Sequence, residues 1–360
     1  ATGLIAGALV INKQFHFIQD RDLGIRIDQT LLVPLRHPAL RAQFQVIRNE
    51  FLSLEGVQAV TASSSNPANT NIITSLYSQG QSVLGIRALA VDYDFVKAMG
   101  IHLVSGRNFS RGVPTDSAGA IIVNEAAARK LQAFNLLDRP LELAGVGEER
   151  KSNMVIGVMR DFHYRPLYYA IEPMVLYLAP AGLRFMEVKM APGATSRTIA
   201  ELKRAWEGVV PEYPFDFTFL DEGLKQVYTA DQRTRALFDL FSLLAIGIGS
   251  LGLFGIASHA AEKRAKEIGI RKVLGSSVGG IVVLLSRELV LMVGAAGLLA
   301  SAAAYFFLRS WLETFSYRID LTPWIFLQAI VLVSLTALLT VGVRAARAAL
   351  ANPVDSLRYE

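Results

Sequence analysis

Three uninterrupted apolar segments limit the fold of this chain more than any other feature. They cover residues 236–259, 289–308 and 323–343, and Asp239 is their only charged residue when His259 is neutral. In a helix, which rises about 1.5 Å per residue, each segment is long enough to cross the roughly 30 Å hydrocarbon core of a bilayer. Helices buried in soluble proteins rarely stay apolar on all sides for such a length. The sequence therefore predicts three membrane-spanning helices.

The distribution of charge divides the chain into two parts. Residues 1–232 contain 23 Lys or Arg and 23 Asp or Glu, whereas residues 233–360 contain 13 and 8, which accounts for the net charge of +5. Only 19% of all residues are charged, against about a quarter in a typical soluble domain. This pattern argues against a single soluble globule. It also argues against a nucleic-acid-binding protein, whose basic side chains would lie on a soluble surface.

The basic residues between the spans predict the orientation of the chain, because short cytoplasmic loops carry an excess of Lys and Arg. Six basic residues lie within residues 260–288, and three more follow the last span. We therefore expect residues 260–288 and the C-terminus in the cytoplasm, and the segment from about residue 12 to 235 on the other side. The apolar run Ala1–Ile11 is too short to cross a bilayer. It indicates that residues 1–13 are the end of a truncated transmembrane helix.

Residues 14–232 are predicted to form an α+β domain outside the membrane, joined to an all-α transmembrane helix bundle over residues 233–360. Helical and strand patterns are mixed in this domain without a strict alternation. A helical pattern also runs without Gly or Pro from Leu224 to Ile246, so we expect a continuous helix from Asp221 into the first span. The predicted strands cover residues 30–35, 57–62, 120–123, 154–159, 175–178 and 215–220, and the predicted helices cover residues 38–54, 124–133 and 195–210.

The sequence contains little that points to catalysis, a cofactor or a metal. It has no cysteine, and its five histidines form no close ligand pair. Asp161 and His163 could form an acid–base couple, but no nucleophile accompanies them, so packing or hydrogen bonding is the favoured role. Asp92 and Asp94 are assigned to a solvated surface. We therefore predict no catalytic, cofactor-binding or metal site.

One glycine motif needs a separate interpretation. Residues 247–252 match G-x-G-x-x-G, but the dinucleotide-binding fingerprint requires a preceding strand in a soluble βαβ unit. This copy lies inside a predicted membrane span. The small residues Ala245, Gly249 and Gly252 are instead predicted to let membrane helices approach closely.

The segment after the first span resembles a known family. Its ten residues from Lys266 to Gly275 read KEIGIRKVLG, and this run is similar to the motif that follows the same helix in FtsX-like permeases, which include the MacB-type transporters. The blocks Asp92–Phe95, Gly106–Phe109 and Gly157–Phe162 resemble parts of the periplasmic core domain of that family. The resemblance covers nearly the whole chain, and it suggests the second half of a longer permease.

The resemblance implies the permease subunit of an ABC-type transporter in a bacterial inner membrane, with a large periplasmic domain. The sequence has no G-x-x-x-x-G-K-[ST] motif, so ATP would be bound and hydrolysed by a partner ATPase, and this chain would not be an enzyme. Other implied partners are the lipid bilayer, a second permease half or a homodimer, and a periplasmic adaptor or hydrolase; nucleic acid is not among them. The predicted ATPase-coupling loop consists of Lys266, Glu267, Ile268, Gly269, Ile270, Arg271, Lys272, Val273 and Gly275.

Two functions remain open at this point. In the first, closure of the ATPase moves the spans, and the helix from Asp221 to Ile246 transmits that movement to the outer domain for efflux or extrusion. In the second, the same module is a membrane regulator or sensor that controls a cell-wall hydrolase or an antimicrobial-peptide response.

Overall fold

The computed structural model divides the chain into two compact units. One contains Ala1–Asp20 and Ala230–Glu360, and the other contains Arg21–Thr229. We call them the membrane unit and the α+β unit. The structure describes residues 1–19, 23–68, 70, 72–78, 81–131, 136–144, 150–165, 169–193, 196–263, 267, 270–271 and 276–350.

Helices and strands are numbered here in chain order over the described residues. The strands are β1 (Thr30–Pro34), β2 (Val57–Ser63), β3 (Ile73–Ser78), β4 (Gln81–Val91), β5 (Leu103–Gly106), β6 (Ala120–Asn124), β7 (Pro140–Ala144), β8 (Arg150–Met159), β9 (Met174–Leu178), β10 (Phe185–Met190) and β11 (Thr218–Phe219). The helices are α1 (Thr2–Gln19), α2 (Pro38–Ala42), α3 (Phe44–Leu52), α4 (Phe95–Ala98), α5 (Pro114–Gly119), α6 (Glu125–Lys130), α7 (Ser196–Val209), α8 (Leu220–Lys263), α9 (Val278–Leu312) and α10 (Pro323–Leu350).

A four-stranded antiparallel sheet forms one part of the α+β unit. Its strand order is β11-β1-β10-β2, and helices α3 and α7 contribute apolar side chains to the core on one of its faces. Trp206 on α7 is 1% exposed and stacks near Phe51 and Phe215. The predicted apolar face of residues 38–54 is confirmed, since its four members are all buried: Leu40, Phe44, Ile47 and Phe51.

A closed ring of six strands forms the other part. The order β4-β3-β7-β8-β6-β9 returns to β4, because β9 pairs in parallel with β4. In the closed ring, each of the six strands has a neighbouring strand on both sides for at least part of its length. Alternate residues of β6 point to two different cores: Ile121 and Val123 pack in the cluster that also contains Leu76 and Val175, and Ile122 packs in a second cluster with Phe162.

The two sheets meet at a single residue pair, Ser63 with Val91, between β2 and β4. Around this pair the second cluster fills the space between the sheets; Leu32 from the four-stranded sheet and Leu89 from the ring both belong to it. The α+β prediction is therefore confirmed for this unit.

Two of the predicted elements that differ in extent from the structure have an identifiable cause. The strand predicted over residues 215–220 is limited to Thr218–Phe219, and helix α8 already begins at Leu220. The side chains alternate in burial from Tyr213 to Phe219, but the ladder with β1 ends because that strand stops at Pro34, which has no N–H to donate. The helix predicted over residues 38–54 is interrupted at Gln43, whose φ and ψ of −89° and 2° separate α2 from α3.

Four helices form the described secondary structure of the membrane unit. Three contain segments long and apolar enough to cross a membrane, at Ala236–Ile256, Val290–Leu312 and Pro323–Val343. Three apolar helices thus occupy the positions of the three predicted spans. Helix α1 continues to Gln19, beyond the predicted end at residue 13, and packs against α9 and α10 through a shared apolar cluster. That cluster contains Ile5, Ala6, Val10, Leu308, Leu312, Ile325, Phe326 and Ala329.

Candidate functional site

Helix α8 carries the chain from the α+β unit into the membrane unit without interruption. It spans 44 residues, from Leu220 to Lys263, which corresponds to about 66 Å of helix. Asp221 and Glu222 lie in its first turn, where acidic side chains interact favourably with the helix dipole. The predicted continuous helix across Leu224–Ile246 is confirmed.

The predicted packing residues of α8 contact no other described helix closely. A Cβ atom placed on Gly249 or Gly252 has no atom within 4 Å over the described residues, and Ala245 is half-buried. Neighbouring large side chains are exposed as well, with Ile248 at 71% and Leu251 at 73%. Over the described residues Gly249 and Gly252 therefore have no close neighbour on another helix, and close helix packing at these small residues stays a prediction.

The predicted ATPase-coupling loop follows α8. Glu267, Ile270 and Arg271 are helical and exposed, and Arg271 Nη2 lies 2.9 Å from Glu267 Oε1. Ser277 then caps α9, because its hydroxyl accepts a hydrogen bond from the Gly280 N–H at 3.2 Å. The structure thus presents an ion pair and an isoleucine that is 48% exposed. The other predicted coupling residues, Lys266, Ile268, Gly269, Lys272, Val273 and Gly275, lie outside the described residues.

A buried glutamine on α1 fixes the turn between α9 and α10. Gln14 is fully buried; its Nε2 donates to the Tyr317 carbonyl at 2.8 Å, and its Oε1 accepts from the Ile319 N–H at 2.9 Å. Both hydrogen bonds of the amide are made to backbone about 300 residues away. Sequence reasoning missed this contact because no local pattern marks a glutamine whose partners are backbone groups.

The α+β unit contains a buried cluster of two carboxyls and two hydroxyls where the sheets meet. Glu187 and Asp92 are 1% and 6% exposed, and the Ser63 and Thr61 hydroxyls lie against them in short hydrogen bonds. Ser63 also donates to the Ser65 carbonyl at 2.7 Å. The Ser63 hydroxyl therefore lies between the Glu187 carboxyl and the Ser65 carbonyl. Burial raises the pKa of Glu187 well above its usual range.

Asp92 is buried, so its predicted place on a solvated surface is wrong. Its burial leads to a prediction about how stability depends on pH. Burial raises the pKa of its carboxyl from 3.8 to about 6, because desolvation outweighs the hydrogen bond from Thr61. The folded chain binds this proton more tightly than the unfolded chain, so stability is lost as the pH rises from about 4 to about 6. Asp92→Asn is expected to be more stable than the wild type above pH 6, by about 3 kcal/mol, and equal to it below pH 4.

Thermal unfolding of the full chain in detergent between pH 4 and 8 measures this effect, and Asp94→Asn is the matched control. Asp94 is partly buried, which favours a higher pKa, but hydrogen bonds and charge from Arg111 and Arg48 lower it overall. Its substitution is therefore expected to cost stability at neutral pH. If Asp92→Asn kept the wild-type slope between pH 4 and 6, burial of Asp92 would not be the cause.

The Asp161 carboxylate caps helix α6 instead of activating His163. Asp161 Oδ1 accepts from the Ala126 N–H at 2.9 Å and Oδ2 accepts from Arg129 Nη2 at 2.6 Å. The Asp161 N–H in turn donates to Glu125 Oε2. Over the described residues, no three His, Asp or Glu side chains are grouped so that they could hold a metal ion.

Two family models match the chain. The model of the MacB-like periplasmic core domain matches residues 2–205, and the model of the FtsX-like permease C-terminal domain matches residues 240–353. The first match covers more than half of the chain and ends before α8. The second includes the coupling loop, most of the first apolar segment and all of the other two. Residues 206–239 lie between the two matches.

Individual proteins are also similar to parts of the chain. The macrolide export ATP-binding/permease protein MacB of Chromobacterium violaceum is 24% identical over 282 residues, which cover 76% of this chain and 43% of that protein. The protein of the same name from Neisseria gonorrhoeae is 23% identical over 310 residues, covering 81% and 44%. The periplasmic region of MacB from Actinobacillus actinomycetemcomitans aligns with a TM-score of 0.41 at 15% identity, covering 59% of this chain and 98% of that structure. The chain spans less than half the length of the curated relatives it matches.

Proposed function

The chain belongs to the family of permeases that combine a MacB-like periplasmic core domain with an FtsX-like permease domain, and from this premise we propose that it is the permease subunit of an ABC-type transporter. An ATPase outside these 360 residues binds and hydrolyses ATP. The chain itself performs no catalysis and couples the ATPase cycle to movement of the α+β unit for efflux or extrusion. The relatives reported above are exporters by name, which favours transport over a regulatory role.

The continuous helix α8 is the observation that carries this proposal. A helix that runs unbroken from Leu220 to Lys263 passes a displacement of one end to the other, whereas a flexible linker would absorb it. The coupling loop lies at one end of this helix, and the last strand of the α+β unit lies at the other. In this proposal the α+β unit is periplasmic, and the coupling loop and C-terminus are in the cytoplasm of a bacterial cell.

The exposed side chains of the coupling loop suit a protein partner. Ile270 offers an apolar contact, and the ion pair between Arg271 and Glu267 offers polar contacts next to it. Arginine is among the residues that most often dominate the binding energy of an interface, because its planar guanidinium makes several hydrogen bonds. In isolation the ion pair contributes little to the helix, since both side chains are nearly half exposed.

Arg271→Ala is therefore expected to abolish ATPase binding while leaving the fold intact. The full-length protein is purified from native membranes in mild detergent, and the P-loop ATPase retained with it is quantified by mass spectrometry. Retention is expected to fall at least about tenfold, as for the loss of an interface hot spot.

Arg309→Ala is the matched control. Arg309 forms the same kind of ion pair, with Glu313 at 3.3 Å, near the opposite end of α9 from the coupling loop, and its loss is expected to leave retention unchanged. Unchanged retention in Arg271→Ala would refute the docking role of this loop. Absence of any ATPase with the wild-type protein would refute the permease assignment itself.

A further inference from the structure

A groove opens in the α+β unit where the ladder between β1 and β11 ends. Only Leu31 with Phe219 and Leu32 with Thr218 are paired. Beyond Thr218 the two chain segments separate, and a cavity of about 500 Å³ lies between them, lined by Pro34 on one side and Phe217 on the other. The premature end of the ladder is thus the structural cause of the groove.

The groove is lined by three arginines without a carboxylate partner. Over the part of the chain that the structure describes, no ion pair of 4 Å or less involves Arg36, Arg41 or Arg184. Asp216 is the one acidic residue in the lining, so three positive charges face one negative charge, a balance of +2. The Nε of Arg41 is buried and has no hydrogen-bond acceptor. Unpaired arginines that converge on one cavity attract an anion.

The same groove has apolar walls. Phe185 and Phe217 line it together with Leu32 and Pro34. The Phe217 ring is held in place by neighbours, since its centroid lies 5.4 Å from that of Phe215 and 6.0 Å from that of Phe219. A flat or branched apolar body fits against such rings. The arginines therefore favour a ligand with a negative charge, and the phenylalanine rings favour a ligand with an apolar part.

We propose that this groove binds an amphipathic organic anion, with a carboxylate, sulfonate or phosphate on the arginines and an apolar body against the two phenylalanines. A volume of about 500 Å³ lies in the usual range of small-molecule sites, roughly 300 to 1,000 Å³. The guanidinium fork matches two oxygens of such an anion at once. This inference goes beyond the proposed permease role, because binding to the chain by itself needs no ATPase.

Isothermal titration of the full chain in phosphatidylcholine nanodiscs, with empty nanodiscs subtracted, tests the proposal. The probes are naphthalene-2-sulfonate and its cationic counterpart, 2-naphthylmethylammonium. We expect the sulfonate to bind at least about tenfold more tightly than the ammonium, a difference that corresponds to one charge-assisted contact. Its affinity is expected to fall as NaCl is raised, because salt screens the arginines.

Arg36→Gln and Arg184→Gln are each expected to weaken sulfonate binding about tenfold. Both side chains are exposed, so their replacement leaves the core unchanged. Arg204→Gln, an exposed arginine on α7 away from the groove, is the control and is expected to bind like the wild type. Equal affinity for the two probes, no binding above empty nanodiscs, or unchanged affinity in both groove variants would overturn the proposal. None of these results bears on ATPase retention.

Discussion

Gly106→Ala is expected to destabilise the α+β unit by about 4 kcal/mol, enough to unfold much of the protein. Gly106 has φ of +77°, and a Cβ added there would lie 2.3 Å from the Ile156 carbonyl oxygen and 2.7 Å from the Gly157 Cα. That same carbonyl accepts the Arg107 N–H at 2.9 Å. Because both obstacles are backbone atoms of the paired strand β8, a change of side-chain rotamer cannot relieve the clash.

Urea unfolding of the full chain in detergent, followed by pulse proteolysis, measures this loss. Gly85→Ala is the matched control: it also lies in a strand, has no positive φ, and its added Cβ meets nothing within 4 Å over the described residues. We expect a change of about 0.5 kcal/mol or less there. Equal stability of the two variants would show that β5 and β8 do not cross as closely as described.

Arg107→Met is expected to cost about 3 kcal/mol at neutral pH, because it leaves a buried carboxylate without its partner. The two guanidinium nitrogens of Arg107 each lie 2.7 Å from an oxygen of Asp116, whose side chain is 1% exposed. The Arg107 hydrogen bonds hold the pKa of Asp116 below its usual value, with further help from the Ser110 N–H. Methionine keeps an unbranched apolar stem and removes the charge and the donors.

The cost of this substitution depends on pH with a defined sign. A lowered folded-state pKa contributes stability above the unfolded value and loses it as the pH falls through the folded value. Wild type and Arg107→Met should therefore converge in stability below about pH 4, the unfolded pKa of an aspartate. Arg197→Met, which breaks the helix-surface pair between the 86% exposed Arg197 and Glu201, is expected to show no such pH dependence. A constant difference at all pH values would contradict the role of the Arg107–Asp116 charge pair.

Patterns repeated along one element were predictable from the sequence. The three apolar helices were predictable because their side chains are apolar on nearly all sides, and α7 was predictable because Leu202 and Trp206 recur on one face. The strand at residues 215–220 was overestimated, since alternation reports burial whereas the ladder depends on Pro34 in another strand. Strands β3, β4, β5, β7 and β10 were not predicted.

Contacts between distant segments were not predictable in this way. Glu187 and Thr61 are cross-strand partners, but they are 126 positions apart in the chain. The sequence around either residue therefore does not indicate that the two meet in a buried cluster. The groove arginines likewise come from distant parts of the chain, since Arg36 and Arg41 lie more than 140 positions before Arg184. The coupling loop was identified only by its similarity to a known motif, because its local pattern also fits an ordinary basic loop at a membrane surface.

The closed ring has a consequence for the order in which the chain acquires its structure. Strand β4 pairs with β9, and β1 pairs with β10 and β11. Neither sheet can therefore be completed before residues 174–219 have been synthesised. Such long-range pairings are slow to form and leave earlier strands with open edges while synthesis proceeds. The last strand to arrive, β11, is followed directly by α8. The step that completes the four-stranded sheet is therefore also the step that anchors the first turn of the long helix.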